Sequence, residues 1–503
     1  MSVVNTFLEY LGSARLKELN DFQLYPGITQ DYQLKRLLSS AMETQFAREH
    51  GFVDIGDHEK FAERVPVRSY EDYTVYIERM LKGESDVCWP GKIKWFAKSS
   101  GTTNAQSKFI PVTMDALQNC HYKGVKDVLL YYIHNHPETK LFQGKCLTLG
   151  GSKKISDIGN GIQTGDLSAI LIDNAPFLAK FAKTPSPDIA LLSEWEEKLE
   201  KISQVTIKEN VTSLAGVPSW FMILLQHILK ISNKTDLHEI WPNLELFMHG
   251  GVNFTPYRQQ YLNIASKGLN FLETYNASEG FFAFQTDPKD PGMMLVLDSG
   301  IFYEFIPLNE LNNPFPKAYT VDQVKLGKDY AMVISTNGGL WRYLIGDTVR
   351  FTSLEPPKII ITGRTKNFIN AFGEELMIDN AERALNEACR ATEAEIKEYT
   401  AAPVFMDGSS KGYHEWLIEF SKEPNNISVF GEVFDKSLQK LNSDYEAKRK
   451  NNFTLNAPKI TIARQNLFYD WLRTKGKLGG QNKVPRLFNN RDYIDSILQL
   501  NNE

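Results

Sequence analysis

Three apolar runs in the first half of the chain stop on glycine: "KCLTLGGS", "VTSLAGV" and "LELFMHGGVNF". Each reads as a strand. The second turns tightly at 216–218 and continues as an apolar helix, "PSWFMILLQHILKI". Strand–turn–helix units build parallel sheets with helices on both faces, and ligands then bind beyond the carboxyl ends of the strands. The glycine-rich strand ends are therefore where a site is sought. A chain of 503 residues exceeds one ordinary hydrophobic core, so two domains or one large multilayer domain are expected.

The rest of the pattern divides the chain. Residues 1–90 space their apolar positions as helices do, as in "YQLKRLLSSAMETQFAREH". From Met293 the texture becomes antiparallel. "MMLVLDSGIFYEFIP" reads as a hairpin turned at 298–300, and "YAMVISTNGGLWRYLIGDTVRF" as another turned at 337–339, together a β-barrel-like segment. "KIIITGRTKNFINAFGEELM" is a strand followed by polar residues without a clear period, which sets a boundary near Thr365. The tail holds two strands across a turn at 407–408, a charged amphipathic helix, the strand "PKITIAR" and the helix "NLFYDWLRTKGK". The expected fold class is α/β: a large N-terminal domain, residues 1–365, of helix-flanked sheets plus the barrel-like segment, and a small α+β C-terminal domain, residues 366–503.

Composition excludes several classes of function. A net charge of −5 gives no global reason to expect nucleic acid or an anionic membrane as partner. The N-terminus lacks the basic start and unbroken apolar core of a secretion signal, and "WFMILL" is far too short to span a bilayer. Cys88, Cys120, Cys146 and Cys389 are scattered, which argues against a disulfide framework or a thiolate cluster. His134 and His136 form the nearest approach to a metal signature, but before Pro137 they read as the end of a helix. The expectation is a cytoplasmic protein acting as a monomer.

Four stretches carry possible chemistry, each with a plainer alternative. In "WFAKSSGTTNAQSKFIPVT", Ser99, Ser100, Thr102 and Thr103 offer hydroxyls, Gly101 lets the backbone approach a phosphate, and Lys108 adds charge; equally, the loop only turns the chain. In "LETYNASEGFFAFQ", Tyr275 suits stacking on a planar base and Glu279 suits a hard cation, or the segment is a capped turn. In "LWRYLIGDTVRF", the Asp347 carboxylate can accept two vicinal hydroxyls of a ribose; otherwise Gly346 and Asp347 turn a hairpin, with Asp347 paired to Arg342 or Arg350. In "GKLGGQNKVPRL", Lys483 follows glycines but nothing local distinguishes it from a solvated lysine.

The order of these stretches is more telling than any one of them. A hydroxyl-rich loop, an aromatic-x-x-Ser-Glu, a Gly-Asp, "GRTKNF" and a late lysine together resemble the acyl-adenylate-forming enzymes. That group includes acyl-CoA synthetases, peptide-synthetase adenylation domains and firefly luciferase. Within it, "SSGTT", Tyr275–Glu279, "RYLIGD" and "GQNKVPR" resemble the auxin-responsive acyl acid amido synthetases, with this chain as a shorter, bacterial-type member. It differs from the plant pattern by Asn276 and Ala277 in place of Ala-Ser and by Thr103 in place of a serine.

The resemblance implies ATP and Mg²⁺ as cofactors, and a small carboxylic acid and an amino acid as substrates. It implies that residues 99–103 and Lys108 hold the β- and γ-phosphates, that Glu279 helps bind Mg²⁺, and that Gly251, Tyr275, Asn276, Ala277 and Ser278 frame the adenine. Asp347 would grip the ribose with help from Arg364. Lys483 would stabilise charge on the α-phosphate during adenylation, carried by a C-terminal domain that moves about a hinge near Thr365. Two other functions fit the same residues: a ligase with coenzyme A as acceptor, and a nucleotide sensor without catalysis.

Overall fold

The computed structural model describes residues 3–99, 108–149, 156–176, 181–192, 195–251, 254–311, 313, 315–365, 368–406, 411–450, 455–475 and 484–501. The opening helices follow from the apolar spacing: α1 (Val3–Leu24), α2 (Pro26–Ala41), α3 (Gln45–His50), α4 (His58–Arg64) and α5 (Tyr70–Leu81). Side chains close the exposed N–H groups of α3, α4 and α5. Thr44 accepts from Ala47 N, Asp57 from Lys60 N, and Ser69 with Asp72 forms a capping box before α5. Among the described residues no helix is long and apolar enough to cross a membrane.

The described residues gather into two compact units, one drawn from Met1–Ser99, Phe109–Gly251 and Tyr261–Thr365, the other from Ser100–Lys108, Val252–Gln260 and Lys366–Glu503. Among the described residues the first unit is built on a run of strands, of which only Lys108, the first residue of β2, falls in the second unit. They are β1 (Trp95–Ser99), β2 (Lys108–Val112), β3 (Lys145–Thr148), β4 (Ser156–Asp157), β5 (Gln163–Gly165), β6 (Lys183–Thr184), β7 (Val211–Gly216) and β8 (Leu246–His249). Then follow β9 (Asn270–Ala277), β10 (Gly280–Gln285), β11 (Met293–Leu295), β12 (Ile301–Pro307), β13 (Asp329–Thr336), β14 (Tyr343–Leu354) and β15 (Pro357–Arg364). A small sheet has the order β2-β1-β5-β4 and a large one the order β12-β13-β14-β15-β11-β10-β9-β8-β7-β3-β6.

The glycine-ended runs are parallel strands, as expected: β3 pairs with β7, β7 with β8 and β8 with β9. The antiparallel segment continues the same sheet, since β9 pairs antiparallel with β10. The hairpin at 337–339 joins β13 to β14. The hairpin expected at 298–300 does not form. β11 instead pairs with β10 and β15. A buried side chain from α2 takes the backbone groups such a hairpin would have used: Gln30 Nε2 donates to Leu297 O and Ile301 O, and Tyr303 N donates to Gln30 Oε1. Asp298, at the turn itself, accepts from Arg15 of α1 and from Lys123.

The end of the sheet is pinned by a buried ion pair. Glu304 on β12 is fully buried and accepts from Arg342 Nε at 2.9 Å and from His58 of α4 at 2.8 Å. Arg342 Nη1 donates to Ala62 O and Val65 O, so the guanidinium ties the helical layer to the strand. Burial pushes the Glu304 carboxyl up, but the charge of Arg342 and hydrogen bonds from His58 and Arg342 outweigh it and leave the pKa below the usual value.

In the second unit β16 (Phe368–Ile369) pairs with β17 (Leu376–Met377), and β18 (Glu395–Val404), β19 (Tyr413–Lys422) and β20 (Lys459–Ile462) form a three-stranded sheet. The stretch after β15 without a clear period is therefore a short hairpin. Glu374 closes it, accepting from Ala371 N, Phe372 N and His414 Nε2. The unit has its own core around Leu417, Phe468, Trp471 and Ile497.

Replacing Arg342 with leucine leaves Glu304 buried and short of its main counter-charge, a change that typically costs about 3–5 kcal/mol. Arg342→Leu is expected to lower the urea midpoint accordingly. Because the Glu304 pKa is depressed on folding, its contribution is present above the ordinary carboxylate range and is lost as pH falls through the folded value. The wild-type margin over Arg342→Leu is therefore expected to narrow in acid, measured by urea titration across pH.

Candidate nucleotide site

The parallel and antiparallel parts of the large sheet meet at β9, and the candidate residues of the first unit lie around that seam. β8 leaves the sheet through Gly250 and Gly251. A Cβ at Gly250 would stand 2.3 Å from Thr274 O, so only glycine lets this turn lie against β9. Thr274 Oγ1 donates to His249 O at 3.2 Å and holds the two strand ends together. Gly251 has φ +83, a conformation that favours glycine.

β9 then delivers the aromatic motif. Tyr275 is buried at 5% exposure, with its ring 4.9 Å from that of Phe282. Its hydroxyl donates to Asp347 Oδ2 at 2.6 Å. Burial and the Asp347 charge hold the phenol pKa well above its usual value, so it stays protonated and remains a donor. Asn276 is exposed, Ala277 and Ser278 are half-buried, and Glu279 is half-buried just before β10.

Asp347 lies within β14, not at a hairpin end. Its register partner across the sheet is Arg364 of β15, and Arg364 Nε donates to Asp347 Oδ1 at 2.7 Å. The alternative partners are engaged elsewhere: Arg342 binds Glu304, and Arg350 binds Asp329 at 2.9 and 2.8 Å. Gly346, with φ +97, turns the backbone immediately before the carboxylate, and Thr365 N donates to Gly346 O.

Asp347 is thus fixed by one donor on each oxygen. A carboxylate has about four lone-pair positions, so it retains acceptor capacity for hydroxyls. Glu279 offers a hard oxygen donor, and among the described residues no three His, Cys, Asp or Glu side chains converge as metal ligands. That donor set suits a cation that arrives with phosphates, as Mg²⁺ does, bound through one or two carboxylates.

Of the remaining candidates, Ser99 ends β1 and Lys108 opens β2, half-buried. Ser100, Gly101, Thr102, Thr103 and Lys483 lie outside the described residues. Two tyrosines near Glu279 were not recognised in the sequence. Burial, then the charge of Glu279, raises the pKa of Tyr343; Tyr70 is raised by burial and feels the same carboxylate. Tyr343 stands inside the quoted "RYLIGD" run, whereas Tyr70 sits in a helix start with no motif around it.

The fold is shared with solved adenylate-forming ligases. A GH3.15 acyl acid amido synthetase superposes with a TM-score of 0.61 at 20% identity, covering 97% of this chain and 95% of that one. A 2-hydroxyisobutyryl-CoA ligase in complex with 2-HIB-AMP and CoA superposes at 0.58 with 13% identity, covering 93% and 91%. In sequence the chain is 24% identical over 565 residues to an indole-3-acetic acid-amido synthetase of Arabidopsis thaliana, spanning 94% of this chain and 92% of that protein. The GH3 family N-terminal domain matches residues 15–269, the central domain residues 294–364 and the C-terminal domain residues 379–492. The chain belongs to the GH3 family.

A side chain at position 346 would be forced into a strained backbone region that costs about 1–3 kcal/mol. Gly346→Ala is therefore expected to fold, with native circular dichroism and a lowered urea midpoint. An unchanged midpoint would show that position 346 does not need its left-handed conformation.

Proposed function

We propose that the chain is an ATP-dependent acyl acid amido synthetase. The observation that carries this reading is the Asp347 carboxylate, held by Tyr275 and Arg364 at the strand seam of a GH3-family chain. An acid carboxylate attacks the α-phosphorus of ATP, one P–O bond forms and another breaks, and pyrophosphate leaves. The amine of an amino acid then attacks the acyl carbon of the adenylate, AMP departs with the C–O electron pair, and the amine loses its proton as the amide forms.

Each residue has a stated part in this reading. Asp347 accepts the ribose hydroxyls, with Arg364 and Tyr275 fixing its two oxygens. Gly251, Asn276, Ala277 and Ser278 bound the adenine. Residues 99–103 and Lys108 bind the β- and γ-phosphates, and Glu279 binds the Mg²⁺ that accompanies them, neutralising triphosphate charge. Lys483 supplies positive charge to the α-phosphate as adenylation proceeds. Tyr275 acts through Asp347, because its ring is packed on Phe282 and its hydroxyl is engaged.

The test is acid-dependent ATP–pyrophosphate exchange across a panel of carboxylic acids, followed by mass analysis of products formed with amino acids or with coenzyme A. Exchange with at least one acid and an amide product are expected; a thioester without amide would make the chain a CoA ligase. Lys483→Ala is expected to slow exchange by roughly a thousandfold, the loss of a preorganised charge worth about 3–4 kcal/mol. Asp347→Ala is expected to weaken ATP binding at least about tenfold with the fold intact, since hydrogen bonds to charged groups contribute about 1.5–3 kcal/mol each. Unchanged exchange in Lys483→Ala would remove the catalytic assignment of that lysine and leave adenylation to other groups.

A further inference from the structure

The first turn of α5 is fastened to the strand that carries Asp347. Arg68 N donates to Arg342 O at 2.9 Å, and Leu344 N donates to Arg68 O at 2.8 Å, so residue 68 bridges the start of β14. Tyr73, one turn into α5, donates to Trp341 O and accepts from Trp341 N at 2.6 Å. Ser69 N donates to Asp72 Oδ2 at 2.8 Å and closes the capping box. Between these anchors stands Tyr70, the first residue of α5, half-buried. Its hydroxyl oxygen accepts from Phe109 N at 2.7 Å.

Phe109 is in β2, directly after Lys108. The start of α5 is therefore tied to two pieces of chain remote from it in sequence, to β14 through Arg68 and to the start of β2 through the Tyr70 phenol.

We propose that Tyr70 is a positioning residue for ATP, its hydroxyl fixing Phe109 and with it the adjoining Lys108. This rests on the ligase reading above and adds to it a part of the chain that carries no nucleotide motif. Tyr70 acts through its neighbours and takes no part in bond making. Lys108, which it places, serves the β- and γ-phosphates, and these are present only before pyrophosphate leaves. Its loss should therefore affect adenylation and spare acyl transfer.

Tyr70→Phe keeps the ring and removes only the hydroxyl, leaving the Phe109 N–H without its acceptor. In acid-dependent ATP–pyrophosphate exchange, the KM for Mg·ATP is expected to rise about tenfold while the KM for the acid is unchanged. Transfer from a synthetic acyl adenylate to the amino acid acceptor, which needs no polyphosphate, is expected to proceed at the wild-type rate. Equal slowing of both half-reactions with a lowered Tm would assign Tyr70 to the scaffold and overturn the proposal. Wild-type exchange kinetics in Tyr70→Phe would overturn it too, while leaving the ligase reading intact. Absence of exchange in the wild-type chain would remove the ligase reading and this proposal with it.

Discussion

β9 pairs parallel with β8 on one side and antiparallel with β10 on the other, and the placement of the site depends on that change of direction. Parallel strands all end on one side of a sheet, so β7, β8 and β9 bring Gly216, Gly251 and Tyr275 towards the same rim. In the sheet order β10, β11 and β15 stand between β9 and β14, and the Tyr275 hydroxyl on β9 nevertheless reaches the Asp347 carboxylate on β14. The close approach of β8 to β9 tolerates no side chain at Gly250, so the seam is fixed sterically as well as by pairing.

Two carboxylates of the first unit illustrate how similar ion pairs serve different ends. Glu304 is fully buried and surrounded by donors from Arg342 and His58; Arg342 in turn spends its other nitrogen on two carbonyls. That pair is closed and holds helices to the sheet. Asp347 has one donor from Tyr275 and one from the partly exposed Arg364. It is oriented but retains acceptor positions, which is the state expected of a carboxylate that recognises a ligand.

The local parts of this organisation were legible in the sequence. Glycine and proline punctuate β7 and the helix after it, and Asn-Gly-Gly marks the 337–339 hairpin; their conformational limits act within a few residues. What was not legible depends on long-range partners. The apparent 298–300 hairpin has hairpin chemistry, yet Gln30, some 270 residues away, takes its hydrogen bonds. Asp347 has nearby arginines at 342 and 350, but the fold commits these to Glu304 and Asp329 and leaves Arg364 to pair with it. Tyr70 could not be found from sequence, because its proposed part comes from meeting Phe109 in space. The hydroxyl-rich loop and Lys483 owe their assignment to family resemblance alone.

We propose that the seam around β9 is where a mononucleotide is held. The direct test is a crystal structure with a non-hydrolysable acyl-adenylate analogue. The ribose hydroxyls are expected within hydrogen-bond distance of the Asp347 carboxylate, with Tyr275 and Arg364 still donating to it. An analogue bound away from Asp347, or one that displaces Arg364 and Tyr275 from that carboxylate, would contradict it.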